Sequence, residues 1–133
     1  MIAGVADTHT ALWYLYNDER LSGKAGEFID SAAEMGRHIV VSTISLAEIV
    51  YLIEKNRLPS SAYIDLKAAL GDPEHVFKEA HLTGQVVDAM SRIPRNEIPD
   101  MPDRIVAATA AWLGVAVISR DGRIRSANIQ TIW

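Results

Sequence analysis

The run Asp100-Met-Pro-Asp-Arg-Ile-Val-Ala-Ala-Thr-Ala-Ala-Trp-Leu-Gly-Val-Ala-Val-Ile-Ser119 holds a helix start, a helix, a helix stop and a buried strand in direct succession. Asp100 and Asp103 make an acidic N-terminal box around Pro102, and Gly114 closes the helix that follows. Ala107, Ala108, Ala110 and Ala111 give that helix small side chains, which let it lie close on a sheet. Val115 to Ser119 is apolar without alternation, the pattern of a strand covered on both faces. A helix leading at once into such a strand is the repeating unit of an α/β fold.

The same alternation extends in both directions from this run. Ile2 to Ala6 reads as a buried strand ended by Asp7 and Thr8, and Thr10 to Tyr16 as a helix. Ser22 opens a second helix through about Met35, with Gly36 as its stop. His38 to Val41 is a second buried strand, followed by a strongly apolar helix over Thr43 to Asn56 and another from Ser60 to Leu70. After a turn at Gly71-Asp72-Pro73 come a weak strand, Val76 to Ala80, a helix, Gly84 to Ser91, and an irregular loop from Pro94 to Pro99. Ile129 to Trp133 adds a last short strand. The expectation is one domain spanning residues 1–133, a three-layer α/β/α fold around a mostly parallel central sheet.

Composition narrows the function. With 49% hydrophobic residues the chain can build a real core, and with no cysteine it uses no disulfide, thiolate zinc site or thiol nucleophile. Neither a signal peptide nor a membrane-spanning run is present, so a cytoplasmic protein is expected. The four histidines lack metal-ligand spacing, which argues against zinc. A net charge of −4 weighs against a simple nucleic-acid binder. If four acids are metal ligands the remainder is neutral, and Arg92, Arg95, Arg104, Arg120, Arg123 and Arg125 bunch late enough to form a local positive rim.

Asp7, Glu48, Asp103 and Asp121 are those four acids. In a parallel sheet, ligands bind beyond the carboxyl ends of the strands, where strand order reverses. Asp7 directly follows the first strand and Asp121 follows Ser119, while Asp103 and Glu48 lie early in helices that start from the same edge. Hard oxygen donors of this kind suit Mg²⁺ or Mn²⁺ and the hydrolysis of phosphodiesters. Each acid also has a local alternative. Asp7 can cap the helix from Thr8, Asp100 and Asp103 can be ordinary helix-start acids, and Asp121-Gly122 is a common turn dipeptide. Glu48 can complete a capping box with Ser45, but it stands among Leu46, Ala47, Ile49 and Val50, where an unpartnered charge would be expensive.

Taken together, the chain resembles the PIN-domain nucleases, and among them the VapC-type toxins of toxin–antitoxin pairs. The marks are Val5-Ala-Asp7-Thr-His-Thr-Ala-Leu-Trp13, Val41-Ser-Thr-Ile-Ser-Leu-Ala-Glu48-Ile, Asp100-Met-Pro-Asp103-Arg-Ile-Val-Ala-Ala-Thr-Ala, Val117-Ile-Ser-Arg-Asp121 and the closing Ile129-Gln-Thr-Ile-Trp133. The resemblance implies a metal-dependent endoribonuclease with Mg²⁺ or Mn²⁺, RNA as substrate, a cognate antitoxin protein as partner, and a homodimer or higher assembly. It casts Asp7 and Asp103 as principal metal ligands, with Glu48 and Asp121 completing the site directly or through water, and Asp100 as a helix cap. Pro102 stands one place later than the family's usual proline, which shifts the cap without touching Asp103. Ser119 replaces the family's common threonine, its hydroxyl orienting Asp121 or a water.

Supporting roles are open at several positions. Thr8 either caps a helix or bonds at the site, and Arg104 either contacts phosphate or braces a neighbouring acid. Arg120, Arg123 and Arg125 either steer RNA or are solvated surface, and His9 either packs or approaches substrate. Trp13, Tyr14, Tyr16 and Trp112 fall at core-like helical positions, with a dimer or antitoxin groove as the second reading. Two rival functions share parts of this pattern. An aspartate-nucleophile phosphatase would use Asp7 but needs a second aspartate where His9 stands, and a catalytically silent α/β binding module would have only caps and turns at the acids.

Overall fold

In the computed structural model, which describes residues 1–133, the apolar runs become five strands: β1 (Ile2–Ala6), β2 (His38–Ser42), β3 (Phe77–Ala80), β4 (Ala116–Ile118) and β5 (Thr131–Ile132). All four pairings are parallel and the spatial order is β3-β2-β1-β4-β5. Strand order therefore reverses beside β1, between its neighbours β2 and β4. Between the strands run α1 (Thr8–Leu15), α2 (Gly23–Glu34), α3 (Thr43–Glu54), α4 (Ser61–Gly71), α5 (Gly84–Met90), α6 (Met101–Leu113) and α7 (Gly122–Ser126).

Successive strand residues point to opposite faces, and both faces are covered. Ala6, Ile39, Val41 and Ile118 join one core with α1 to α4, around Leu12, Ile29, Ile49 and Leu66. Val5, Val40 and Val117 join the other, beneath Val86 of α5, the alanines of α6 and Ile124 of α7. These two cores make the expected three-layer architecture. Ala107, Ala108 and Ala110 are buried against the sheet as their size suggests, whereas Ala111 faces solvent. Close packing also explains Gly4: a Cβ there would come within 3.2 Å of the Phe28 ring and 3.3 Å of the Ala116 carbonyl.

Helix starts follow their caps. Ser22 accepts from the Ala25 amide at 3.0 Å, and Asp100 from the Asp103 amide at 3.1 Å. The α6 stop is Gly114, at φ +70°. Three expectations are corrected. Helix α1 begins at Thr8 rather than Thr10, because Asp7 caps it through the Thr10 amide. The turn expected at Asp121-Gly122 is instead the cap and first residue of α7, a signal the two structures share. Tyr16 and Trp112 are not core residues, being 47% and 46% exposed. Tyr16 ends α1 and turns its hydroxyl to Asp65, and Trp112 lies on the outer side of α6, away from the buried alanine stripe. No helix is long and apolar enough to cross a membrane.

Candidate active site

Pairing of Ala6 with Ile118 sets the ends of β1 and β4 side by side, so the residues that follow, Asp7 and Ser119, leave the sheet together. The Asp7 amide donates to the Ile118 carbonyl at 3.3 Å, and the Thr10 hydroxyl to the same carbonyl at 2.9 Å. The first turn of α1 is thereby fixed to the end of β4. Asp7 Oδ1 accepts from the Thr10 amide at 3.0 Å, while Oδ2 accepts from the buried Ser119 hydroxyl. Ser119 Oγ in turn accepts from the Asp121 amide at 3.0 Å, and Asp121 Oδ1 caps α7 by accepting from the Arg123 amide at 2.8 Å. Ser119 therefore holds Asp121 through its backbone amide, in keeping with the expected role of orienting Asp121, and also holds the carboxylate of Asp7, which the sequence did not suggest.

Glu48 arrives from α3. Its Oε1 accepts from the Thr8 hydroxyl at 2.6 Å. Thr8 has a single hydroxyl proton, so its 2.9 Å contact with buried Ser45 must be one in which Ser45 donates. The Ser45-Thr8-Glu48 chain answers the cost of placing an acid in an apolar helix. It also corrects two readings: Thr8 is the first residue of α1 rather than its cap, and Ser45 does not pair with Glu48 as a capping box.

All four acids and Thr8 line one cavity of about 200 Å³, at the carboxyl edge of the sheet beside the reversal of strand order. Their mutual repulsion is concentrated on Asp103. Burial, the charge of Asp100, a hydrogen bond and charge from Asp121, and the charge of Glu48 push its pKa up from 3.8 to about 8. Asp103 thus holds a proton at neutral pH, as one of two interacting carboxyls does when no cation offsets them. As placed, no three acidic or imidazole side chains converge tightly enough to enclose an ion. The donor set nevertheless fits a hard cation that keeps part of its water shell, such as Mg²⁺, since it is all oxygen, carries excess negative charge and faces an open cavity.

His9, Trp13 and Arg120 complete the cavity wall. His9 stacks on Trp13 with centroids 5.6 Å apart, Arg120 lies 4.6 Å from the centre of the Trp13 ring and Arg20 5.1 Å from it. Trp13 is buried, as its core-like helical position suggests, and it also borders the site, which nothing in its local sequence signals. Arg104 is not part of it. One residue past Asp103 the helix has turned about 100°, and the Arg104 guanidinium donates to the carbonyls of Met90 at 3.0 Å and Ile93 at 2.9 Å. It ties the end of α5 and the loop after it to α6, and it braces no acid.

Comparison with known proteins agrees with this fold. The family model described as PIN domain matches residues 5–129. Ribonuclease VapC22 of Mycobacterium tuberculosis is 29% identical over 130 residues, covering 95% of this chain and 92% of that protein. Among solved structures, VapBC2 from Rickettsia felis, bound to a DNA fragment from its promoter, superposes with a TM-score of 0.70 at 14% identity, covering 98% of this chain and 97% of that one. A toxin–antitoxin complex from Klebsiella pneumoniae gives 0.64 at 17% identity, with coverage of 98% and 97%. FitAcB from Neisseria gonorrhoeae gives 0.58 at 20%, with coverage of 98% and 96%. At these identities the structures speak for the fold.

Proposed function

Since the chain belongs to the PIN-domain family, we propose that it is a metal-dependent endoribonuclease and the toxin of a toxin–antitoxin pair. The observation that carries the reading is the meeting of Asp7, Glu48, Asp103 and Asp121, from four separate segments, around one cavity at the reversal point of a parallel sheet. A purely structural role explains Asp7 and Asp121 as caps, but it leaves Asp103 and Glu48 without a purpose that repays their repulsion. This disfavours the silent binding module. Asp7 as a phosphatase nucleophile is disfavoured too, because His9 occupies the position of the second aspartate.

Asp7 and Asp103 would hold Mg²⁺ or Mn²⁺ as principal ligands, with Glu48 and Asp121 adding contacts directly or through water. A bound cation at such a site supplies charge stabilisation for the phosphodiester and a more acidic water. The protein's own part is positioning. Ser119 fixes Asp7, Thr8 fixes Glu48, and the α7 cap fixes Asp121, so three of the four carboxylates are pre-oriented by bonds within the chain. Asp103 would have to be ionised to hold a cation, so cation occupancy would depend on pH.

RNA is the proposed substrate and a cognate antitoxin protein the proposed partner, in a homodimer or higher assembly with that antitoxin. VapC22, whose name describes a ribonuclease, supports the first of these, and the toxin–antitoxin complexes among the solved neighbours support the second. The test is cleavage of single-stranded and structured RNA with Mn²⁺, comparing the intact protein with Asp7→Asn and Asp103→Asn. Each substitution should lower the rate by more than about 100-fold, beyond what losing an outer hydrogen bond to a ligand costs, and chelation should abolish it. Unchanged cleavage in both variants would remove the site from the reading.

A further inference from the structure

Arg120 is the one lysine or arginine on the wall of the acidic cavity. It lies between Ser119, which holds Asp7, and Asp121, whose amide bonds Ser119. A cation in that position would be expected to pair with a carboxylate, yet Arg120 forms no ion pair, and its guanidinium donates no hydrogen bond within the chain. It lies instead over the Trp13 ring, 4.6 Å from its centre. Arg20, the other arginine at that ring, has its charge engaged by Asp18 through contacts of 3.0 and 2.7 Å. Arg123 and Arg125 are exposed on α7 and lie outside the cavity wall.

We propose that Arg120, held over Trp13 beside the four carboxylates, is a positioning residue that binds an RNA phosphate next to the one being cleaved. The inference rests on the ribonuclease reading above. A cation held by the acids would serve the phosphate being cleaved, whereas the neighbouring phosphate still meets these carboxylates, and Arg120 is the one basic side chain on the wall to offset them. Trp13 supplies a flat, rigid face that keeps the guanidinium extended and away from the acids, at the cost of a cation–π contact rather than an ion pair. All five guanidinium N–H donors are then left for phosphate, in a fork that matches it.

Binding is the direct test, read by fluorescence anisotropy of a fluorescein-labelled single-stranded RNA in Mn²⁺ over a range of salt. Asp7→Asn serves as the background that prevents cleavage. Adding Arg120→Ala should weaken binding about 10-fold, the lower range for a charge-assisted contact. It should also reduce the slope of log affinity against log salt by about 0.7, the value for one phosphate contact on a single strand. Arg120→Lys should restore the slope but not the full affinity, since it keeps charge and loses the fork. Arg125→Ala should leave both unchanged. An unaltered slope in Arg120→Ala, or an equal loss in Arg125→Ala, overturns the proposal while leaving the ribonuclease reading intact. No RNA affinity in either the Asp7→Asn protein or the intact protein would overturn both.

Discussion

Replacing Asp103 by asparagine keeps the side chain's size and removes the charge that the site finds hardest to hold. Without metal, this should make the protein more stable. A carboxyl whose pKa is raised on folding binds its proton more tightly in the folded state. Its contribution is therefore complete below about pH 4, declines as pH rises, and levels off above the folded value of about 8. Between its ordinary 3.8 and pH 7 the penalty on a fully desolvated group would be about 4 kcal/mol at 1.36 kcal/mol per unit. Asp103 borders an open cavity, so solvent screening reduces this to roughly 2 kcal/mol. At neutral pH Asp103 is already largely protonated, so asparagine forfeits little helix-dipole attraction, and the gain is about 2 kcal/mol, or roughly 7 °C in Tm for a domain of this size. Thermal melts with chelator from pH 4 to pH 9 provide the assay: the two proteins should coincide near pH 4 and diverge upward, with Asp103→Asn the more stable. Saturating Mn²⁺ should then reverse the order, because a ligand bound only by the folded protein at 100 times its Kd adds about 2.7 kcal/mol. If Asp103→Asn melts below the parent at pH 8 in chelator, the acids do not repel one another as described.

Other substitutions separate site from scaffold. Ser119→Ala should cost about 1–3 kcal/mol, since it strands Asp7 Oδ2 and the Asp121 amide, and should slow RNA cleavage. Ser119→Thr keeps the hydroxyl and should recover most of that rate; both effects are read from denaturant unfolding and single-turnover cleavage. Gly4→Ala should lose about 1–3 kcal/mol in denaturant unfolding, because its methyl meets Phe28 and the Ala116 carbonyl at 3.2–3.3 Å. Trp112→Ser should cost about 1–3 kcal/mol in denaturant unfolding, since roughly half of this large side chain is covered.

The fold was legible where local chemistry and burial agree. Ser22, Asp100, Gly36 and Gly114 mark helix ends through bonds or backbone angles that involve only their neighbours, and the apolar runs of β1, β2 and β4 follow from burial on both faces. Misreadings arose where the deciding partner is distant. Thr8 looks like a cap until its hydroxyl is seen to donate a hydrogen bond to Glu48, 40 residues on. Arg104 looks like a site residue until the carbonyls of the loop after α5 take it. At Asp7 the two readings weighed against each other are compatible, since one oxygen caps α1, the other takes the Ser119 proton, and both keep lone pairs for a cation. Local signals therefore could not choose between cap and site.

Because the site joins the two ends of the chain, synthesis delays it. β1 can meet β2 soon after both are made, but its other edge waits for β4, and Asp7 waits for a hydroxyl 112 residues later. At about 5–20 residues per second that interval is roughly 6–20 s. During it the central strand presents an unpaired edge, open to wrong partners, and the carboxylates have not been brought together. A nuclease built this way completes its scaffold and its chemistry in one late step, so a half-made copy is an aggregation hazard before it is a cutting tool.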